Sequence, residues 1–217
     1  MTLDTWLAFM VAAWLICLSP GPGVLSCVTA GLQHGFRTAL WNIAGLQAGA
    51  TVTLIVVGVG LGAALAASPR AFTAIKWFGA GYLVWLGVQQ WRSARAPIRA
   101  PAAVIDGVSP QAANAQVARA LFLRGLIVNS TNPKGILFTA SVLPQFIDPQ
   151  APQLLQFAIV WSTMLVVDVC CMSGYTALGV QALRWLQNPA VARTTNRVFG
   201  ALFVVAGLGL AVFRHAR

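Results

Sequence analysis

The stretch Leu18-Ser19-Pro20-Gly21-Pro22-Gly23 lies inside an apolar run long enough to cross a bilayer. Its two prolines remove backbone donors and disfavour helix at the residue before each. Its two glycines accept backbone conformations that other residues resist. A helix facing lipid cannot be opened in this way, because the freed N–H and C=O groups would find no partner. The break must therefore be packed inside protein or line a polar cavity. A kinked but purely structural helix is the simpler alternative, although kinks of that kind usually need one proline rather than two.

Composition fixes the class. The chain has 217 residues, of which 58% are apolar and 8% charged, with no glutamate and four aspartates: Asp4, Asp106, Asp148 and Asp168. A water-soluble domain carries about 25% charged residues. The fold class expected is all-α: a polytopic membrane protein in the lipid bilayer. The net charge of +10 is spread over the short stretches between apolar segments, which fits membrane orientation and argues against nucleic acid as a partner. Cys17, Cys27, Cys170 and Cys171 all fall in apolar segments, so they are expected to be buried thiols. The N-terminus lacks a basic leader region, and the first apolar run reads as an uncleaved helix.

Six hydrophobic segments are expected, at about 5–33, 38–67, 71–91, 120–147, 153–183 and 197–213. A span needs about 20 residues. Segments one, two, four and five exceed that, so the pattern long, long, short occurs twice. Residues 93–118, rich in Ala and Pro and carrying arginines, read as a cytoplasmic linker between a first three-helix unit at 1–92 and a second at 119–217. The part after Pro110 could form a short helix on the membrane surface. Lys76-Trp-Phe-Gly-Ala-Gly-Tyr82 is echoed 121 positions on by Arg197-Val-Phe-Gly-Ala-Leu-Phe203, and Ser19-Pro20-Gly21 is echoed 113 positions on by Asn132-Pro133-Lys134. Three helices per unit is an odd number, so the expectation is a 3+3 inverted repeat with broken helices one and four and a polar site near the midplane.

Basic residues set the orientation. Arg37, Arg92, Arg95, Arg99, Arg119, Arg124, Arg184, Arg193 and Arg197 fall on one side, and Arg70, Lys76, Arg214 and Arg217 on the other, nine against four. The heavier side is expected in the cytoplasm, with both termini outside.

Few residues can carry chemistry. Lys134 follows Arg124 by ten residues, about 15 Å of helix, which is half of a roughly 30 Å hydrocarbon core. A lysine at that depth must be paired or hydrated. Asp168 is the one acid inside a segment. Apolar neighbours and a nearby ammonium would act on its ionisation in opposite senses, which suits a group that exchanges a proton for a cation. A static ion pair between Lys134 and Asp168 is the bland alternative. Gln47 stands 121 positions before Asp168, the same offset as the repeat. Asn129 and Asn132 share a face of segment four, and Tyr175 shares one with Asp168. Gly45 and Gly49 permit close helix approach, and glycine-rich faces also offer a surface for a homodimer. The sequence holds no Ser-His-Asp set, phosphate loop or carboxylate pair, so an enzyme is poorly supplied and no cofactor is expected.

With these motifs in place the chain resembles the LysE/RhtB family of amino-acid exporters. Ser19-Pro20-Gly21-Pro22 is similar to its first signature. Gly31, Gly35-Phe36-Arg37, Gly45 and Gly49 are similar to the glycine ladder that follows. Gly79-Ala80-Gly81-Tyr82-Leu83 with Gly87 is similar to its third-helix pattern. Asn132-Pro133-Lys134 with Phe138 and Leu143-Pro144-Gln145-Phe146 is similar to its second signature. Two positions depart from the family pattern: Gly23 stands where Asn is usual, and Cys171 where an aromatic is frequent.

The resemblance implies export of a small amino acid or derivative from the bacterial cytoplasm across the inner membrane, coupled to protons. The residues then expected to bind substrate are Pro20, Gly21, Pro22, Gly23, Gln47, Asn129, Asn132, Pro133, Lys134 and Tyr175, with Asp168 coupling protons. A cadmium-type metal exporter using Cys17, Cys170, Cys171 and Asp168 is an alternative, and a non-transporting membrane scaffold is another.

Overall fold

In a computed structural model, which describes residues 1–67, 69–92, 110–148 and 150–212, helices are the only regular secondary structure among the described residues. The order is α1 (Leu3–Leu18), α2 (Pro22–His34), α3 (Phe36–Ala67), α4 (Pro69–Arg92), α5 (Pro110–Ser130), α6 (Pro133–Phe146), α7 (Gln153–Gln187) and α8 (Pro189–Val212). Five of these eight helices begin on proline, whose fixed φ and missing donor suit the first helical position. Helix α1 instead starts behind Thr2, whose side chain accepts from the Thr5 N–H, with Asp4 in the first turn.

The first expected segment is α1 plus α2, bent by 56° at the break, and the fourth is α5 plus α6. The restarts register differently from the expected echo. Pro22 and Pro133 each hold the first position of the second half-helix, with Gly21 and Asn132 as the caps. The better correspondence is therefore Gly21-Pro22 with Asn132-Pro133. Helix α5 also starts at Pro110 and runs unbroken into segment four, so residues 110–118 continue the segment-four helix. The rest of the expected linker, 93–109, lies outside the described residues, as do residues after 212.

Among the described residues, Phe36–Gly60 and Gln153–Gly179 are each long and apolar enough to cross a membrane, and α1 with α2 makes a third such span if the bent pair is one. Helix α7 leaves helical geometry at Gly179, with φ 33° and ψ −95°, a backbone state that favours glycine. The exterior is apolar: Leu154 is 85% and Phe78 84% exposed, as expected of a surface that meets hydrocarbon rather than water.

Glycines set the tightest crossing. Helix α3 packs closely on α5. A Cβ on Gly45 would strike the Phe122 carbonyl, and one on Gly125 would strike the Asn42 carbonyl. Gly87 of α4 and Gly200 of α8 face each other in the same way. These glycine faces are thus filled by helices of the same chain rather than left open to a second copy. Helix α2 is sheathed by α3, α5 and α7, with every residue from Gly23 to Ala30 buried. Cys17, Cys27 and Cys171 are buried, but Cys170 is exposed. That corrects the expectation for Cys170: neighbours on a helix point about 100° apart, and the rotation of α7 that buries Cys171 leaves Cys170 on the exposed face.

A cavity at two helix breaks

The two breaks meet at one cavity of about 120 Å³. Gly21, Gly23, Gln47, Asn129, Asn132, Lys134 and Asp168 line it. Of the expected site residues, Pro20, Pro22, Pro133 and Tyr175 do not. The two prolines at 22 and 133 shape the half-helix starts behind the lining residues. Tyr175 braces the break from outside the cavity, its hydroxyl donating to the Leu18 carbonyl at 2.7 Å.

One pole is positive. The Lys134 Nζ donates to the Ser19 carbonyl at 2.8 Å and lies over Gly21. An ammonium has three donors, so two stay available to the cavity. Helix α2 starts without a side-chain cap, leaving first-turn N–H groups free to meet an anion. At α6 the Asn132 side chain accepts from the Lys134 N–H at 3.1 Å. Asn129 donates to the Leu46 carbonyl at 2.6 Å, fastening the end of α5 to α3.

The other pole is acidic. Gln47 Nε2 donates to Asp168 Oδ2 at 2.5 Å, so the residues matched by the 121-residue offset touch across the α3–α7 interface. A carboxylate accepts several hydrogen bonds, and this one keeps acceptor sites for a ligand or proton. No ion pair joins Lys134 to Asp168 among the described residues; each has another partner. The static pair therefore does not describe the site. Among the described residues no group of three His, Cys, Asp or Glu side chains converges.

The cavity runs from the breaks towards the end of the bundle where Phe9 packs edge-on against Phe146, centroids 5.3 Å apart. In the other direction the buried length of α2 closes it, with Val24, Cys27, Val28, Ile43, Leu46 and Met172 packed together. Sequence reasoning missed Thr51, Thr139 and Trp161 in the wall. A signal for two of them existed: Thr51 is four after Gln47 and Trp161 seven before Asp168, spacings that keep a helical face.

Comparison with known proteins adds lineage. A profile described as LysE type translocator matches residues 14–213. The chain is 43% identical over 216 residues, covering all of both proteins, to a homoserine/homoserine lactone efflux protein of Salmonella typhimurium. It is 40% identical over 211 residues, 97% of this chain and 98% of the other, to an uncharacterized membrane protein of Vibrio cholerae. It is 30% identical over 211 residues, 96% of this chain and 95% of the other, to a leucine efflux protein of Klebsiella pneumoniae. No solved structure matches.

Proposed function

Because the chain belongs to the LysE type translocator family, we propose that it is a secondary transporter of the bacterial inner membrane that exports a small amino acid or amino-acid derivative in exchange for protons. The observation that carries this reading is the two-pole cavity: Lys134 and an uncapped helix start at one pole, and Asp168 with Gln47 at the other. A zwitterion is the ligand that suits both poles. Its carboxylate meets the ammonium and the α2 N–H groups, and its ammonium meets Asp168. Once the substrate leaves, Asp168 takes a proton, so the carrier returns without an uncompensated charge in the membrane. The names of the homoserine and leucine efflux relatives support the substrate class.

In this reading the chain crosses the membrane six times, as α1–α2, α3, α4, α5–α6, α7 and α8, in two inverted three-helix units. Support comes from the paired breaks that restart on Pro22 and Pro133, from α4 and α8, each of 24 residues and starting on proline, and from the Gln47–Asp168 contact. The nine-against-four distribution of basic residues supports cytoplasmic arginine-rich loops and periplasmic termini. Transport then alternates between the closed packing of α2 seen on the basic side and an opening there.

The test is efflux from proteoliposomes holding only this protein, loaded with homoserine, threonine, leucine, lysine or cadmium, with and without an imposed pH gradient. Gradient-dependent efflux of one amino-acid class is expected. Movement of cadmium alone, or of nothing from folded protein, would refute the reading.

A further inference from the structure

The charged pole of the cavity is at the helix breaks, and the walls beyond it are neutral. Thr51 lies one turn past Gln47 on α3, Trp161 two turns before Asp168 on α7, and Thr139 five residues past Lys134 on α6. These spacings correspond to about 6, 10 and 7 Å along the helix axes. All three run towards the Phe9–Phe146 end. A substrate held by its amino and carboxyl groups at the breaks would extend its side chain into this part of the cavity.

The three polar groups here are not equivalent. The Thr51 hydroxyl is spent: it donates to the Gln47 carbonyl at 2.8 Å and accepts from Trp161 Nε1 at 3.0 Å. That bond ties α3 to α7 and fixes the indole, which lines the cavity and is 39% exposed overall, as part of its wall. Thr139 differs. A helical threonine commonly bonds back to the carbonyl four residues before it, as Thr51, Thr53, Thr29 and Thr176 do. Among the described residues the Thr139 hydroxyl has no hydrogen-bond partner. Thr139 lines the cavity, so its hydroxyl is the one in this wall not already committed to a protein partner.

The geometry points to Thr139 and Trp161 as the residues that set substrate specificity: Trp161, held by Thr51, limits the length and girth of the substrate side chain, and Thr139 reads a hydrogen-bonding group on it. This rests on the exporter reading and narrows it to small amino acids with a hydroxyl or comparable polar group two or three atoms from Cα. A pocket without such a group discriminates weakly between a hydroxyl and a methyl of the same size, whereas a polar group left unpaired by the wrong ligand discriminates against it.

The experiment is competitive efflux from proteoliposomes co-loaded with homoserine and norvaline, which differ by a hydroxyl in place of a methyl, and separately with alanine and leucine. Wild type is expected to favour homoserine over norvaline. Thr139→Val is expected to cut that ratio by about fivefold, the worth of one neutral hydrogen bond. Trp161→Ala is expected to raise the leucine-to-alanine ratio by about fivefold or more, through the volume opened. Should Trp161→Ala fail to fold, Trp161→Phe, which loses the bond to Thr51 and part of the ring, is expected to shift the same ratio in the same direction. Wild-type ratios in both folded variants overturn the assignment while leaving the exporter reading intact. No amino-acid efflux from wild type overturns the exporter reading and the assignment with it.

Discussion

Replacing Gly45 by Ala adds one methyl group where α3 crosses α5. That methyl would meet the carbonyl oxygen and carbon of Phe122 and the Leu126 N–H nitrogen, all backbone atoms. No rotamer change can relieve a backbone clash, so the helices must separate. Overpacking of this kind costs about 1–3 kcal/mol, and for a chain of this size that corresponds to a fall in Tm of about 3–10 °C. Gly60, on the same helix with nothing within 4 Å of an added Cβ, is the control; its Ala variant is expected to match or exceed wild type because Ala is the better helix former. Gly125 belongs to the same crossing, since its Cβ would meet the Asn42 carbonyl and Leu46 N. Once Gly45→Ala has spread the helices, Gly125→Ala costs less, so the double variant is less destabilised than the sum of the singles. Thermal unfolding in detergent, followed by size-exclusion chromatography, measures all four. Helix α3 carries Gln47, so transport should fall with stability in Gly45→Ala. A Gly45→Ala protein as stable as Gly60→Ala, or strictly additive singles, would refute the close crossing.

Other variants test other parts of the account. Lys134→Met removes the ammonium that donates to the Ser19 carbonyl and with it the positive pole; efflux is expected to fall more than tenfold, and Lys134→Arg to recover it only partly because the fork geometry differs. Tyr175→Phe frees the Leu18 carbonyl and is expected to lower stability by about 1 kcal/mol, read as a Tm loss of a few degrees with transport reduced but present. Gln156 is 2% exposed, and its side chain holds the α6–α7 turn by accepting from the Asp148 N–H and donating to the carbonyls of Asp148, Ala151 and Pro152. Gln156→Leu strips all of these and is expected to cost about 2–3 kcal/mol, with faster proteolysis at that turn.

The parts of this fold that could be read from sequence are those where backbone chemistry leaves no choice. Proline and glycine at 20–23, and proline after Asn132, mark the breaks whatever surrounds them. Gln47 stands out because it lies 121 positions before Asp168, the offset of the Phe-Gly-Ala echo, but nothing in the sequence places the two in contact. Gly45 and Gly49 announced a close crossing, though not that α5 would fill it. Other features depend on tertiary contacts that no local pattern encodes. Helix α5 begins at Pro110, ahead of its apolar run, because helix formation and membrane burial are separate requirements. Tyr175 shares a helical face with Asp168, yet its reach ends at the Leu18 carbonyl, since the side chain goes where an unpaired carbonyl needs a donor. The break at Gly179 could not be told from the other glycines of the chain. Thr139 gave no sign, because an unpartnered hydroxyl is visible only once its neighbours are.

The central claim is that Asp168 exchanges a proton for the substrate ammonium. Its most direct test is to add homoserine outside proteoliposomes that hold a pH-sensitive dye, with no imposed gradient, while following uptake of labelled substrate. Antiport predicts that homoserine entry drives protons out and the lumen turns alkaline, and that Asp168→Asn abolishes the pH change. Wild-type uptake with no change in lumen pH, or an unaltered pH response in Asp168→Asn, would contradict the account.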